Sequence, residues 1–204
     1  TTTFYAASSL GGGPPSPFTT TFQAGNGFDG NMFDLTAINT VTIDSFAGNF
    51  NAGSGTAEVW YRPGTCVGNN LSNAGWLLAG TAPYTSTGNG APGTSVNVYV
   101  NVTIPAGQTY AFYVHASGGV SYTNGTGVGN IYSFDANIQF KEGYGGAYFN
   151  LVNSPRVFNG RIMYSAGCES ARTAVVATVN TAPAISVSAN PPALCQGQTS
   201  TLSV

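Results

Sequence analysis

Val96, Val98, Val100, Val102 and Ile104 alternate strictly with Asn97, Tyr99, Asn101 and Thr103. A period of two sends alternate side chains to opposite faces, so this stretch predicts a strand with one apolar and one polar side. Pro105-Ala106-Gly107 follows. Proline presets the first turn angle and glycine accepts the positive φ that ends a tight reversal. Thr109 to Val114 then returns as an aromatic-rich strand, and the whole of 96–114 predicts a half-buried antiparallel hairpin. Shorter runs of the same kind recur at residues 32–35, 41–46, 58–62, 73–81, 120–123, 136–140 and 161–164, bounded by Gly, Pro, Asn and Ser. Apolar residues at i, i+3, i+4 and i+7 are sustained nowhere, so no helix is expected. The reading is an all-β chain forming an antiparallel two-sheet sandwich. The number of strands suits a jelly-roll arrangement better than a minimal immunoglobulin domain.

The pattern also divides the chain. Residues 1–17 form an extended segment ending in a Gly-Pro breaker. It is either a loose leader or a strand on a tether that adds to the edge of another subunit. Residues 18–166 carry the sandwich, and 167–183 a further strand and a linker at Thr181-Ala182-Pro183. Residues 184–204 read as the first strands of an immunoglobulin-like domain or as donor strands, because about 20 residues bury no core alone. The chain begins TTTFYAASS, without methionine or a charged-then-apolar leader, which predicts a processed mature chain or an internal fragment.

Charge changes the picture more than length does. Only 6% of the 204 residues are charged, against about 25% in an ordinary soluble protein. With a net charge of -2 the chain lacks the Lys and Arg clusters that nucleic acid or an anionic membrane requires. No apolar run reaches the roughly 18 residues of a membrane-crossing helix. Glycine (28) and proline (11) are frequent, yet 42% hydrophobic and 12% aromatic residues supply a core, so order is favoured over disorder. Gly, Ser, Thr and Asn fill the places charges usually take, a surface common in extracellular β-proteins. A secreted or cell-surface location is expected.

Candidate chemistry is sparse. The single histidine, His115, follows the predicted hairpin as a surface residue, and no G-x-S-x-G elbow supplies a nucleophile for it. Asp29, Asp34, Asp44, Glu58, Asp135, Glu142 and Glu169 form no telling carboxylate motif. No catalytic residue is assigned, and the chain is expected not to be an enzyme. Asp29, Asn31 and Asp34, joined by Asp135 across the fold, could hold calcium through their oxygens. Alternatively these residues make turns through local bonds to the backbone. Calcium is the one cofactor considered. Among Trp60, Tyr61, Trp76, Tyr84 and Tyr99, the best candidates for a sugar-stacking platform are Trp60 and Tyr99, on the nominally polar faces of their strands. The alternative is that further strands cover that face. Arg156 and Arg161 flank Phe158-Asn159-Gly160, where one is expected to pair with an acid and fix a strand end. Sequons at Asn70, Asn101 and Asn124 matter only in a eukaryotic host. The three cysteines, Cys66, Cys168 and Cys195, fit no zinc pattern, and an oxidising compartment would leave one unpaired.

The runs GNGFDGNMFDLTAINTVTIDSF, VWYRPGT, GWLLAGTA, IPAGQTYAFYV, YTNGTGVGN, DANIQFKEG and PRVFNGRIMY, in that order over residues 18–164, resemble a β-sandwich repeat of secreted bacterial surface proteins. That resemblance implies no enzymatic activity. The tail, YSAGCESARTAVVATV followed by PPALCQGQTSTLSV, resembles the end and the start of immunoglobulin-like repeats in long adhesins of gliding bacteria. In such repeats an early cysteine pairs with one in a GC-x-S segment. Cys195 matches the first and Cys168 the second, but in reversed chain order, so they belong to different units. The resemblance therefore implies a Cys66–Cys168 disulfide, with Cys195 free or paired beyond residue 204. The expected function is a structural or adhesion protein of the cell surface. It would be a filament subunit assembling by β-strand addition, with copies of itself or neighbouring domains as partners. The alternative is a carbohydrate-binding module of a secreted multidomain protein, with glycans as partners.

Overall fold

A computed structural model of the chain describes residues 2–6, 9–10, 15–169, 173–177, 186–190, 196–197 and 199–203. All its regular elements are strands. In chain order they are β1 (Thr2–Ala6), β2 (Ser9–Leu10), β3 (Ser16–Thr19), β4 (Asn26–Ala37), β5 (Val41–Gly48) and β6 (Gly53–Pro63). Then come β7 (Leu77–Ser86), β8 (Thr94–Val96), β9 (Val102–Ile104), β10 (Thr109–Asn124), β11 (Ile131–Phe134) and β12 (Ile138–Ala147). Last are β13 (Asn150–Phe158), β14 (Gly160–Ala166), β15 (Cys168–Glu169), β16 (Thr173–Ala177), β17 (Ser188–Asn190) and β18 (Thr201–Ser203).

The chain divides into two compact units, one from Ser8 to Ser170 and one combining Thr1–Ala7 with Ala171–Val204. The first unit is the sandwich. A seven-stranded sheet runs β11-β12-β13-β10-β6-β7, with β4 paired to both β10 and β12. Strands β4, β10, β13 and β12 thus close a circuit of pairings. The facing sheet has five strands, ordered β3-β14-β5-β8, with β9 also on β5. All the pairings are antiparallel.

Between the sheets lies an aromatic core. Phe33 on β4 stands at its centre, 4.9 Å from Phe158, 5.1 Å from Phe140 and 5.9 Å from Phe46 by ring centroids. The alternation at residues 96–104 holds as read: Val96, Val98, Val100, Val102 and Ile104 all join this core. The ladder there is interrupted, however. β8 pairs with residues 46–48 of β5 and β9 with residues 41–43, and Asn101 between them takes a φ of 48°.

The hairpin expectation is corrected. β9 pairs with β5 in one sheet, while β10 pairs with β4 and β6 in the other. The turn is real, with the Gln108 amide donating to the Pro105 carbonyl at 3.0 Å and Gly107 at φ 78°. It arches between the sheets instead of joining neighbours within one.

The outer face of the seven-stranded sheet carries a second apolar layer. Because β10 alternates, Phe112, Val114 and Ala116 enter the main core while Ala111 and Tyr113 point the other way. Met32, Cys66, Trp76, Phe149 and Leu151 pack around them. The cover comes from the loop after β6 and the turn between β12 and β13, where the alternative reading expected extra strands.

In the sandwich unit β2 also pairs with β15. In the other unit β1 pairs with β16 over Thr2↔Ala177 to Ala6↔Thr173, and β17 pairs with β18. Residues 2–6 are therefore a strand paired within their own chain. The predicted linker, Thr181-Ala182-Pro183, and Cys195 lie outside the described residues.

A candidate ligand groove beside the bulge of β10

β10 is long because it contains an irregularity. His115 pairs with Gly30 of β4, but the next pair is Val120 with Phe28. Four residues, Ala116 to Gly119, therefore oppose the single residue Asp29. Such excess residues arch out of the ladder, and a Gly-Gly step allows it. Gly119 sits at φ +92°, and a Cβ there would stand 2.6 Å from Asn51 Nδ2.

Side chains replace the missing ladder bonds. The Thr56 amide donates to Ser117 Oγ at 2.9 Å, and the Gly118 amide donates to the Tyr84 hydroxyl at 3.1 Å. Asn51 clamps the arch from the other side: its amide donates to Gly119 O at 3.2 Å and its Nδ2 to Gly118 O at 3.1 Å. The loop after β7 is tied to the same place by buried Asn49, whose Oδ1 accepts from the Gly90 amide at 2.7 Å and whose carbonyl accepts from Ser121 N at 2.7 Å. The bulge is thus fixed by hydrogen bonds on every side.

An open groove of about 640 Å³ runs beside it, lined by residues 24–29, Asn51, Asn89, Ser117 to Gly119 and Ser121. Amides and hydroxyls predominate among its side chains: Asn26, Asn51, Asn89, Ser117 and Ser121. Ser121 Oγ donates to Asn89 Oδ1 at 3.0 Å, which leaves the Asn89 NH2 free to donate into the groove. Ser117 Oγ already accepts a bond, so its proton is a second donor. Asn26 uses its NH2 on Asn124 Oδ1 at 3.0 Å, leaving its own Oδ1 as an acceptor. Asp29 adds a carboxylate, and Phe28 keeps 49% of its surface exposed. Donors, acceptors and an aromatic ring therefore meet in one preformed depression.

The residues singled out from sequence fall elsewhere, with one exception. Of Asp29, Asn31 and Asp34, Asp29 alone lines the groove. The period of two sends Asp34 to the outer face, where its carboxylate accepts from Thr65 Oγ1 at 2.5 Å and from the Cys66 amide at 2.8 Å. Asn31 is buried on the opposite face, with Nδ2 donating to Tyr144 O at 2.6 Å. Asp135 accepts from the Asn137 and Ile138 amides and from the Tyr164 hydroxyl. The three calcium candidates do not converge, and Asp135 follows the turn-making alternative. Among the described residues no three His, Cys, Asp or Glu side chains are placed to hold a metal.

The Trp60–Tyr99 platform is not assembled either. Trp60 lies half-buried on the outer face of the seven-stranded sheet, edge-on to Phe149 at 5.1 Å, its Nε1 donating to Glu58 Oε2 at 2.7 Å. Tyr99, 72% exposed, projects from the segment that flanks the other sheet. Tyr84 belongs to the main core, with Tyr61 against it, and Trp76 to the outer layer.

His115 stands edge-on to Tyr148, with ring centroids 4.7 Å apart. Burial pulls its pKa below the ordinary 6.5, while the nearby Glu58 and Asp29 carboxylates pull it back up. Tyr148 donates to Glu58 Oε2 at 2.9 Å, and its pKa is pushed up to about 12, by desolvation first and then by that carboxylate. Arg156, one of the two arginines of which one is expected to pair with an acid, lies over the Tyr122 ring at 5.8 Å and donates to Pro155 O. Cys66 is a free thiol buried in the outer layer, so the implied Cys66–Cys168 disulfide is not formed. The reason is placement: the backbone of Cys168 continues from β14 of the other sheet.

Sequence reasoning missed Asn51, Asn89, Ser117 and Ser121. The available signal was Ser117-Gly118-Gly119 breaking the alternation of a strand, a mark of a bulge. No protein-family model matches the chain, and no curated protein matches it.

Proposed function

We propose that the chain is a non-enzymatic extracellular adhesion module that holds a glycan in the groove beside the β10 bulge. The observation that carries this reading is the groove itself: about 640 Å³, within the size range of small-molecule sites, and lined by amide and hydroxyl groups, some with donors or acceptors left over, on a hydrogen-bonded frame. Sugar hydroxyls donate and accept at once, so a surface offering Asn89 NH2 and Ser117 OH as donors and Asn26 Oδ1 as an acceptor is complementary to them. The exposed Phe28 ring provides a flat apolar face for the C–H side of a pyranose. Three of the acids, Asp34, Asp135 and buried Glu142, are spent on fixing turns and loops, Glu142 by accepting from the Thr126 and Gly127 amides. That use supports a binding role over a hydrolytic one.

A glycan array probed with the whole chain, followed by calorimetry of the hits, tests the reading. Phe28→Ala and Asn89→Ala are each expected to weaken binding about tenfold, the equivalent of one stacking contact or buried hydrogen bond, with the melting temperature unchanged in Phe28→Ala and lowered in Asn89→Ala by no more than the loss of the Ser121–Asn89 bond, about 1 kcal/mol. Silence across a broad array, or full affinity in both variants, refutes it.

Self-assembly by strand addition has one observation in its favour. The β1–β16 ladder of five residue pairs joins segments far apart in sequence, and the same ladder formed between two copies would link them. Light scattering that shows concentration-dependent oligomers, lost on deletion of residues 1–7, supports that reading. A monomer at all concentrations removes it.

A further inference from the structure

We propose that Asp29 makes the groove select an amino sugar: a hexosamine unit carrying a free ammonium, in preference to neutral, N-acetylated or uronic units. This rests on the glycan reading above and specifies its ligand class.

Among the described residues lining the groove, Asp29 alone carries a formal charge. The register slip sets it there. With Gly30 paired to His115 and Phe28 to Val120, Asp29 faces the arched Ala116–Gly119 segment and has no cross-strand partner on β10. Asp29 is partly exposed, and among the described residues no Lys or Arg lines the groove with it. In a chain with five Lys and Arg in all, little else screens its field. His115 feels the Asp29 carboxylate, but burial keeps the histidine toward its neutral form, and Glu58 adds a second negative charge on it.

An ammonium matches this setting in two ways. It carries the opposite charge, and its three protons all donate, while Asp29 and Asn26 Oδ1 accept. A charge-assisted bond is about twice as strong as a neutral one. N-acetylation removes the charge, and a uronate brings a second carboxylate against Asp29. The groove is open to solvent and not an enclosed cavity, so a unit bound in it can remain joined to a longer chain.

Calorimetric titration of the whole chain with a glucosamine oligomer, its N-acetylated counterpart, a neutral glucose oligomer and an oligolysine peptide tests the assignment. It should be run at a pH where the amines are protonated and at low salt. The glucosamine oligomer is expected to bind about tenfold more tightly than the neutral one, with the difference shrinking as salt rises. In Asp29→Asn the two should bind equally, at the affinity of the neutral oligomer for the parent chain. If the neutral oligomer binds and the amine adds nothing, or Asp29→Asn keeps the preference, the Asp29 assignment fails and the glycan reading stands. If none of the sugars binds, both fall. Oligolysine binding more tightly than every sugar would overturn the amino-sugar assignment in favour of a basic peptide.

Discussion

Gly119→Ala, compared with Gly107→Ala, isolates what holds the groove open. Both glycines have positive φ, +92° and +78°, a region that costs an L-residue about 1–2 kcal/mol. At Gly107 an added Cβ meets nothing within 4 Å, so Gly107→Ala should cost that backbone term alone. At Gly119 the Cβ would stand 2.6 Å from Asn51 Nδ2, and the asparagine must move. Moving it breaks the bond from Nδ2 to Gly118 O and strains the one from its amide to Gly119 O. Each is worth about 1 kcal/mol net. The sum for Gly119→Ala is about 2–4 kcal/mol. For a domain of this size that is a drop in Tm of about 6–12 °C, against about 3–6 °C for Gly107→Ala. Both tryptophans of the chain, Trp60 and Trp76, lie in the sandwich, so urea unfolding followed by their fluorescence reads the domain directly. The slope should match the parent chain in both variants, since neither changes the area exposed on unfolding. Equal costs for the two substitutions would show that Asn51 does not clamp the bulge and would remove the structural basis for a preformed groove.

Two further outcomes follow from buried titratable groups. Because burial lowers the pKa of His115 in the folded chain, the unfolded chain takes up that proton first as pH falls through 6.5. Stability is then complete above 6.5 and declines between 6.5 and the lower folded value. In His115→Gln the decline over that window should vanish, and denaturation curves with identical pH slopes in the two proteins would refute the assignment. The Cys66 thiol is raised far above its ordinary pKa, by burial first and by the adjacent Asp34 carboxylate second. Iodoacetamide should leave Cys66 unmodified in the native chain and modify it in denaturant, as read by peptide mass mapping. Modification under native conditions would show that the loop covering it opens readily.

Much of the fold was legible because burial imposes a period of two on a strand. Val96 to Ile104 went to the core as the pattern required, even where Asn101 breaks the ladder. What the pattern does not encode is the partner. Pro105-Ala106-Gly107 is equally compatible with a hairpin and with an arch, because both need a reversal, and only the second occurs. The same gap undid the sugar platform. Alternation put Trp60 and Tyr99 on polar faces, but those faces belong to different sheets. Trp60 also met Phe149, contributed by a turn almost ninety residues later. The disulfide failed for a similar reason, since a resemblance between segments says nothing about which strand each cysteine follows: Cys66 comes after β6 and the backbone of Cys168 after β14. The groove depended on a departure from the pattern, Ser117-Gly118-Gly119 inside a strand, and on Asn51 and Asn89 arriving from loops that carry no period at all.

The position of the groove follows from how the seven-stranded sheet is used. Its inner face packs on the facing sheet, and its outer face is covered around Tyr113 by Trp76, Phe149 and Leu151. A ligand cannot lie flat across the middle of such a sheet without displacing apolar cover, which would cost roughly 25 cal/mol for each Å² uncovered. Recognition is better placed where the ladder is already interrupted and backbone polar groups need other partners. The β10 bulge is such a place: side chains of Asn51 and Tyr84 satisfy its backbone, its own Ser117 accepts from the Thr56 amide of β6, and Asn89, Asn26 and Asp29 are left with capacity facing solvent. In a chain that is 6% charged, a single carboxylate at that spot sets the sign of the local field. Selectivity among sugars is therefore expected to hinge on Asp29 more than on any aromatic ring.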